Sequence, residues 1–430
     1  MSIPAAPKFD PVAAEALAAL NDRTPVVLVT GRAGTGKSHF IRSLVDADPH
    51  FPQALLAPTG LAAMNIGGQT VHSFFGFPPR PLIGNHEKPN WFFTRTARAL
   101  RRLIVDEISM LRADVLDAMD QHLKVARKSS RPFGGVQMLL VGDFYQLPPV
   151  VRGEEGQLLE DAGYASPYAF SAHAFRDAPI AAIELTEVHR QTDPDFIATL
   201  SAIRERRGVE HAVSVLNEVC LERDLAKRPV LLCATNAVAD NYNARGLAAL
   251  ETAAARYTGG FEGEAPKALG DRFPAPIELT LKCGARVIFT QNDSEGRWVN
   301  GSLGTVTGLD DDFIEVALDS GDQVDVERAT WPQARWSWNA KENRMEVKEE
   351  FKYVQFPLAP AWALTIHKAQ GMTLDSVEID LGRGAFASGQ TYVALSRARS
   401  MHGLRLTRPL TPRDVQVDPA IAEGLARLGA

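Results

Sequence analysis

Val26-Val-Leu-Val-Thr30 runs directly into Gly31-Arg-Ala-Gly-Thr-Gly-Lys37-Ser38. A short apolar, β-branched run that stops at glycine reads as a buried strand entering a turn. Ser38 to Val45 then places Ile41, Leu44 and Val45 on one helical face. Gly31–Ser38 has the spacing G-x-x-x-x-G-K-[ST], and strand-turn-helix is the context in which that spacing makes a phosphate-binding loop. Glycines let the backbone wrap phosphate closely, and its N–H groups converge at a helix N-terminus. Lys37 neutralises the β/γ-phosphates and Ser38 ligates Mg²⁺. Gly31, Gly34, Thr35, Gly36, Lys37 and Ser38 are therefore the expected nucleotide contacts. A chance glycine turn would need neither the strand nor the helix.

Outward from the loop, Gln53-Ala-Leu-Leu-Ala57, Arg102-Leu-Ile-Val105 and Gln137-Met-Leu-Leu-Val141 are further short apolar runs ending in polar or glycine residues. Strands alternating with helical segments predict a doubly wound α/β fold with a largely parallel sheet. Asp106-Glu107 ends one of these runs. A carboxylate at the end of a buried strand is costly without a cation. Asp106 is expected to hold Mg²⁺ through water, and Glu107 to polarise the attacking water; the plain alternative is a solvated acidic pair. In Gly142-Asp-Phe-Tyr-Gln146-Leu-Pro-Pro149, Gln146 senses the γ-phosphate or positions water, unless the stretch is only a stiff turn. Arg190 and Arg397 are hypothesised to reach the γ-phosphate from a second lobe; by spacing alone each reads as a surface ion-pair residue.

The second half repeats the theme less cleanly. Pro229–Cys233, Ala285–Phe289 and Ser376–Asp380 predict a second α/β sheet, and Gly304–Gly308, Phe313–Leu318 and Gln323–Val326 alternate as a small antiparallel barrel. Phe74–Asn90, rich in Pro and Gly, reads as an irregular insertion in the first domain.

The 430 residues are 45% hydrophobic and 23% charged, an ordinary globular composition sufficient for two or three domains. No uncharged apolar run reaches membrane-spanning length, and the start lacks a secretory pattern. The three cysteines, Cys220, Cys233 and Cys283, form no C-x-x-C pair, so neither a zinc site nor a disulfide framework is expected, and a cytoplasmic setting fits. Net charge is −6, yet basic residues cluster at Arg95–Arg102, Lys124–Arg131, Arg204–Arg207 and Arg397–Arg408, while acid gathers at Asp310–Glu327. Any one cluster reads first as a solvated face.

Taken together, ten segments in order resemble superfamily-one DNA helicases of the RecD/Pif branch. They are Gly31–Ser38, Ala57–Ala63, Thr70–Phe75, Asp106–Ser109, Gly142–Val150, Leu185–Gln191, Cys233–Asn236, Val299–Gly304, Ala363–Gly371 and Tyr392–Ala398. Ser109–Asp117 and Arg131–Gly135 look like the signature of the Pif (petite integration frequency) type. One departure stands out: no glutamine precedes Gln53, where the family often has one that reads adenine.

The resemblance implies ATP and Mg²⁺ at the junction of two RecA-like P-loop domains, with an inserted small antiparallel, SH3-like β-barrel. The expected division is 1–170, with a wedge at about 74–98; 171–281 with 352–430; and 282–351 for the barrel. It implies 5′-to-3′ translocation on single-stranded DNA, unwinding of forked or tailed duplex, a monomer without DNA, and roles of the DNA repair, recombination and telomere-maintenance type. In a bacterium the setting would be nucleoid-associated. Carried over by position, Pro58, Thr59, His72, Thr235, Asn236, Thr365, His367 and Lys368 contact the strand, and Gly371 lies near the nucleotide. Phe74, Phe75 and Phe144 either stack on bases or pack in the core. Trp298, beside Arg297, is either a DNA contact or a barrel core residue; acid repulsion puts the DNA path near that pair, away from Asp310–Glu327. Unwinding works against stacking of ~1.4 kcal/mol per step, hence the wedge. Two alternatives stay open: a RecD-like motor subunit of a nuclease complex, and a P-loop switch or kinase without unwinding.

Overall fold

The structure is a computed structural model describing residues 11–84, 88–221, 223–225, 229–263, 273–339, 342 and 344–430. The chain divides into two compact units. One comprises the chain through His189 with Ala334–Lys348 and Asp418–Ala430; the other comprises Arg190–Gln333 and Glu349–Val417.

In the first unit, β1 (Val26–Gly31), β2 (Gln53–Ala57), β3 (Gln69–Thr70), β4 (Arg102–Val105), β5 (Gln137–Val141) and β6 (Ile180–Leu185) form a parallel sheet in the order β3-β2-β4-β5-β1-β6. Every residue of β1, β2 and β4 is buried. On one face Val27, Val29, Leu55, Ile104 and Val141 pack against Ala16 and Leu20 of α1 (Pro11–Asn21), Phe40 and Ile41 of α2 (Lys37–Ala47), and Ala63 of α3 (Gly60–Asn65). Alternate residues such as Leu28, Leu103 and Leu140 point to the opposite face. The expected boundary at 170 falls too early. Ile180–Leu185 is a sixth strand, in register with β1 from Val26↔Ile180 to Gly31↔Leu185. An edge strand is only half covered, so its sequence is interrupted by Glu184 and reads weakly. The C-terminal helix Ala420–Leu428 also belongs to this unit, not to the second. Gly424 sits so close to the Phe170 ring that any side chain would overlap it.

Among the described residues from Gly76 to Asn90 there is no helix or strand, in keeping with an irregular insertion, while the rest of the expected wedge at 74–98 is helical. It holds the end of α4 (Val71–Phe75) and α5 (Trp91–Ala99). Phe75 lies 4.9 Å from Phe93 and 5.1 Å from Phe77, centroid to centroid, and Phe77 lies 4.7 Å from His122 of α6 (Ala113–Arg127). On α6, Asp114, Asp117 and Asp120 recur every third residue along one face. Asp114 accepts from Leu82 N at 2.7 Å, Asp117 from Ala174 N at 2.8 Å, and Asp120 from Phe133 N at 2.6 Å. The two signature stretches thus have a structural job, pinning three loops to one helix. Beyond α6 lies α7 (Glu155–Asp161).

The second unit opens with α8 (Pro194–Glu205), α9 (Val209–Cys220), β7 (Val230–Cys233) and α10 (Asn236–Ala248). An antiparallel insertion follows: β8 (Ala254–Thr258), β9 (Gly260–Gly263), β10 (Glu278–Lys282), β11 (Arg286–Phe289), β12 (Leu303–Leu309), β13 (Phe313–Leu318), β14 (Gln323–Glu327), β15 (Ala329–Asn339), β16 (Arg344–Gln355) and β17 (Leu358–Pro360). The chain then returns as β18 (Ala363–Thr365), β19 (Val377–Asp380), α11 (Gln390–Leu395) and β20 (Leu404–Leu406). The parallel sheet of this unit is β18-β7-β19-β20. Ala285–Phe289, expected in that sheet, pairs antiparallel with β12 and β17 instead. The insertion is accordingly wider than 282–351. Tyr257, Leu279 and Leu281 share one core with Val287, Phe289, Trp298, Val306, Ile314, Val316 and Phe356. No sheet closes into a ring among the described residues. Nor, among them, is any helix long and apolar enough to cross a membrane.

Candidate active site

β1 delivers the glycine loop to the start of α2, and the loop's shape follows from its residues. Gly36, the N-cap of α2, is left-handed (φ 81°, ψ 14°) and offers no side-chain cap. The first-turn N–H groups therefore depend on a partner other than a capping side chain. Lys37 Nζ donates to Gly31 O at 2.7 Å and Arg32 O at 2.8 Å, folding the cation over the loop. Thr35 Oγ1 donates to Arg32 O at 2.9 Å. Ser38 is exposed in the first turn of α2. His189 N donates to Gly34 O at 2.9 Å, and its ring lies 3.5 Å from where a Cβ on Gly36 would stand. No sequence signal singled out His189; it simply precedes Arg190.

Asp106–Glu107 and Gly142–Gln146 follow β4 and β5, so with the loop they occupy the carboxyl ends of three neighbouring parallel strands, where ligands of open α/β sheets bind. The Asp106 carboxyl is buried and accepts from Glu107 N at 2.9 Å. Burial first, and the neighbouring Glu107 charge second, push its pKa up to about 7. Glu107 is half-buried and left-handed (φ 50°, ψ 46°), a conformation costly for a side-chain-bearing residue. A Cβ on Gly142 would stand 2.9 Å from Ile108 N, so only glycine lets β5 run past this turn. Asp143, fully buried, receives Tyr145 N at 3.2 Å and the Gln146 amide at 3.5 Å, which orients Gln146. Sequence reading chose Gln146 and passed over Asp143.

The donor set suits a nucleoside triphosphate with Mg²⁺. A glycine loop at an uncapped helix start, one lysine, one exposed hydroxyl and one desolvated carboxylate are what phosphates and an octahedral cation require. Among the described residues no cluster of three His, Cys, Asp or Glu exists that would form an all-protein metal cage.

In the second unit the expected arginines meet. Arg190 Nη1 donates to Ser396 O at 3.1 Å and Nη2 to Gly371 O at 3.4 Å. Arg397 is not a surface residue: it is 1% exposed. Its guanidinium donates to Val393 O at 2.9 Å, Met372 O at 3.3 Å and Ser396 Oγ at 2.7 Å. Gly371, expected beside nucleotide, is left-handed (φ 84°) and immediately precedes Met372, whose carbonyl accepts from Arg397.

Among the expected strand contacts, Thr59 and Thr235 are helix N-caps, accepting from Ala62 N at 3.3 Å and Val238 N at 3.4 Å. Pro58 and His72 are half-buried, and Asn236 is exposed in the first turn of α10. Thr365 is buried and accepts Lys368 N at 3.3 Å, so its hydroxyl holds a turn. Burial pushes the His367 pKa down, disfavouring the charged ring. Lys368 is exposed.

Of the two readings left open for the aromatics the structure bears out core packing, which also corrects Phe74 as a strand contact. Phe74, Phe75 and Phe144 are buried, with Phe74 5.8 Å from Phe93 and Phe144 5.2 Å from Phe170; they are core. Trp91 and Phe92, at the start of α5, are exposed instead, at 65% and 67%, with Arg95 over the Trp91 ring at 5.6 Å; Tyr242 and Phe386 are exposed aromatics of the second unit. Trp298 is core as well, 4.7 Å from Phe289. Arg297 covers it but is claimed by Asp293 at 2.8 and 2.9 Å, which holds the Asp293 pKa near about 2. A cation already neutralised in this way is a poor marker for the DNA path.

A parallel sheet presenting a glycine loop, a lysine and a paired carboxylate at adjacent strand ends defines a RecA-like P-loop domain. Residues 11–205 match the PIF1-like helicase family. The chain belongs to that family. It is 34% identical to the ATP-dependent DNA helicase Pif1 of Bdellovibrio bacteriovorus, over 92% of this chain and 87% of that protein. It is 36% identical to the ATP-dependent DNA helicase PIF1 of Danio rerio, over 91% of this chain but 60% of that protein, so it spans about three-fifths of the vertebrate relative. Bacteroides sp Pif1 in complex with ADP-AlF4 is similar at TM-score 0.89 and 33% identity, covering 98% of this chain and 97% of that one. The same Bacteroides protein bound to ssDNA is similar at TM-score 0.70 and 33% identity, covering 97% of each chain.

Proposed function

We propose that the chain is an ATP-dependent DNA helicase that moves 5′-to-3′ on single-stranded DNA and unwinds tailed or forked duplex. The observation that carries this is the desolvated Asp106 beside Glu107 at the strand end next to the Lys37 loop, in a chain alignable along almost its full length with Pif1 helicases. Asp106 and Ser38 would hold Mg²⁺, which would supply positive charge to the phosphates. Lys37 leaves the Gly31 and Arg32 carbonyls to bind phosphate. Glu107, fixed by its own backbone and by Gly142 beneath it, accepts a proton from water, and Gln146, oriented by Asp143, aligns that water. Arg190 and Arg397 supply charge to the transferring phosphoryl group when the two units close on nucleotide. The short strands β11–β14 around one apolar core support an SH3-like reading of the insertion. We place the protein in the cytoplasm, as a monomer in the absence of DNA.

The test is ATP turnover by the isolated chain with and without single-stranded DNA, followed by unwinding of duplexes with a 5′ or a 3′ tail. Turnover indifferent to DNA would favour the switch or kinase reading. Stimulated turnover without unwinding would favour a motor subunit of the RecD kind. Trp91 and Phe92 replace the buried phenylalanines as the aromatic face of the wedge. Trp91→Ala with Phe92→Ala is expected to cut unwinding at least several-fold while leaving DNA-stimulated ATP turnover intact; equal losses in both would remove the wedge assignment. Lys368→Ala is expected to weaken DNA binding and to lower the salt slope by about one phosphate contact. Unchanged affinity at low salt would make Lys368 an ordinary surface lysine.

A further inference from the structure

Gln191 is 2% exposed, and its amide faces main chain. Nε2 donates to Ser396 O at 3.2 Å and to Ala398 O at 2.9 Å, the carbonyls on either side of Arg397. Arg190 donates to the same Ser396 O. From the other side, Leu374 N donates to Arg397 O at 2.9 Å and Arg399 N to Leu374 O at 3.1 Å. The backbone carrying Arg397 is therefore gripped from two directions, while the guanidinium is held separately, on Val393 O, Met372 O and Ser396 Oγ.

We propose that Gln191 is a positioning residue for hydrolysis: it immobilises the main chain around Arg397, so that the guanidinium swings from its carbonyls to phosphate about a fixed Cα. The residue type is decisive. A primary amide has two N–H groups, one for each carbonyl. Glutamate would oppose those carbonyls with acceptors, and methionine would fill the same volume without donating. The geometry matters because a misplacement of ~1 Å in a group acting on the transition state costs on the order of 10²-fold in rate. The inference rests on the ATPase reading and extends it to a residue to which the resemblance gave no role.

The experiment compares DNA-stimulated ATP turnover by the full chain as wild type, Gln191→Met, Arg397→Ala and the double variant. Gln191→Met is expected to lower kcat on the order of 10²-fold with KM for ATP essentially unchanged. In the Arg397→Ala background the same substitution is expected to cost less than about twofold, because residues acting through one group are not additive. Gln191→Lys, which restores donors to both carbonyls, is expected to recover most of the rate. Gln191→Glu repeats the comparison if the methionine variant does not fold. Wild-type turnover by Gln191→Met alongside a slow Arg397→Ala overturns the inference alone, as does the same fold loss in both backgrounds. Wild-type turnover by Arg397→Ala overturns the role given to that arginine, and the inference with it.

Discussion

Lys37→Ala is expected to abolish measurable ATP turnover, a loss of at least ~10²–10³-fold, because the charge facing the transferring phosphoryl group is lost. The resting position of Lys37 sharpens the expectation. Its ammonium already lies over Gly31 O and Arg32 O, so it needs only a short movement to exchange two carbonyls for phosphate oxygens. Glu107→Gln separates binding from chemistry. It keeps the left-handed turn and the side-chain volume but removes the proton acceptor, and general-base losses run to ~10²–10⁴-fold. ATP and DNA binding should persist in Glu107→Gln, read by equilibrium titration, while turnover collapses. Hydrolysis at the wild-type rate would take the base assignment from Glu107; lost nucleotide binding would show that the turn, not the proton, had been disturbed.

What was legible in the sequence tracks how completely an element is covered. β1, β2, β4 and β5 could be placed almost to the residue because strands buried on both faces are apolar without interruption. β6 escaped because it lies at the sheet edge, where Glu184 is exposed. Ala285–Phe289 reads as a strand of the parallel sheet because it is as apolar as one, yet it pairs antiparallel, since periodicity says nothing about which neighbour a buried strand takes. The choice between stacking and core packing for the aromatics was itself readable. Phe93, Thr96, Ala97 and Leu100 are buried at helical spacing, which turns Trp91 and Phe92 toward solvent. Arg397 had no such signal. α11 is six residues long and buried throughout, so it has no polar face to reveal its orientation, and a buried arginine reads in sequence like an exposed one. Gln191 and Asp143 were missed for a related reason: their roles consist of hydrogen bonds to other groups of the site.

Arg397→Ala and Arg190→Ala are each expected to lower DNA-stimulated turnover by ~10³–10⁵-fold, the range for arginines that stabilise phosphoryl transfer. The two should nonetheless differ in what else they change. Arg397 rests on carbonyls at the C-terminal end of α11, where a cation also complements the helix dipole. Its removal takes a donor from Met372 O and Ser396 Oγ, leaves Val393 O to the Ser396 hydroxyl alone, and empties the space of a fully buried side chain, so Arg397→Ala should melt earlier as well as turn over slowly. Arg190 is half-buried and shares Ser396 O with Gln191, so its loss leaves that carbonyl partnered and stability nearly unchanged. Arg397→Lys isolates chemistry from packing. The ammonium keeps a donor and a charge but loses the planar fork that can hold a phosphate and a carbonyl together. It should therefore melt close to wild type while turning over at a small fraction of the wild-type rate, with ATP affinity largely retained. If Arg397→Lys and Arg397→Ala both hydrolyse ATP normally in the presence of DNA, Arg397 is a helix-end anchor and the charge at the transferring phosphoryl group must come from Arg190 alone.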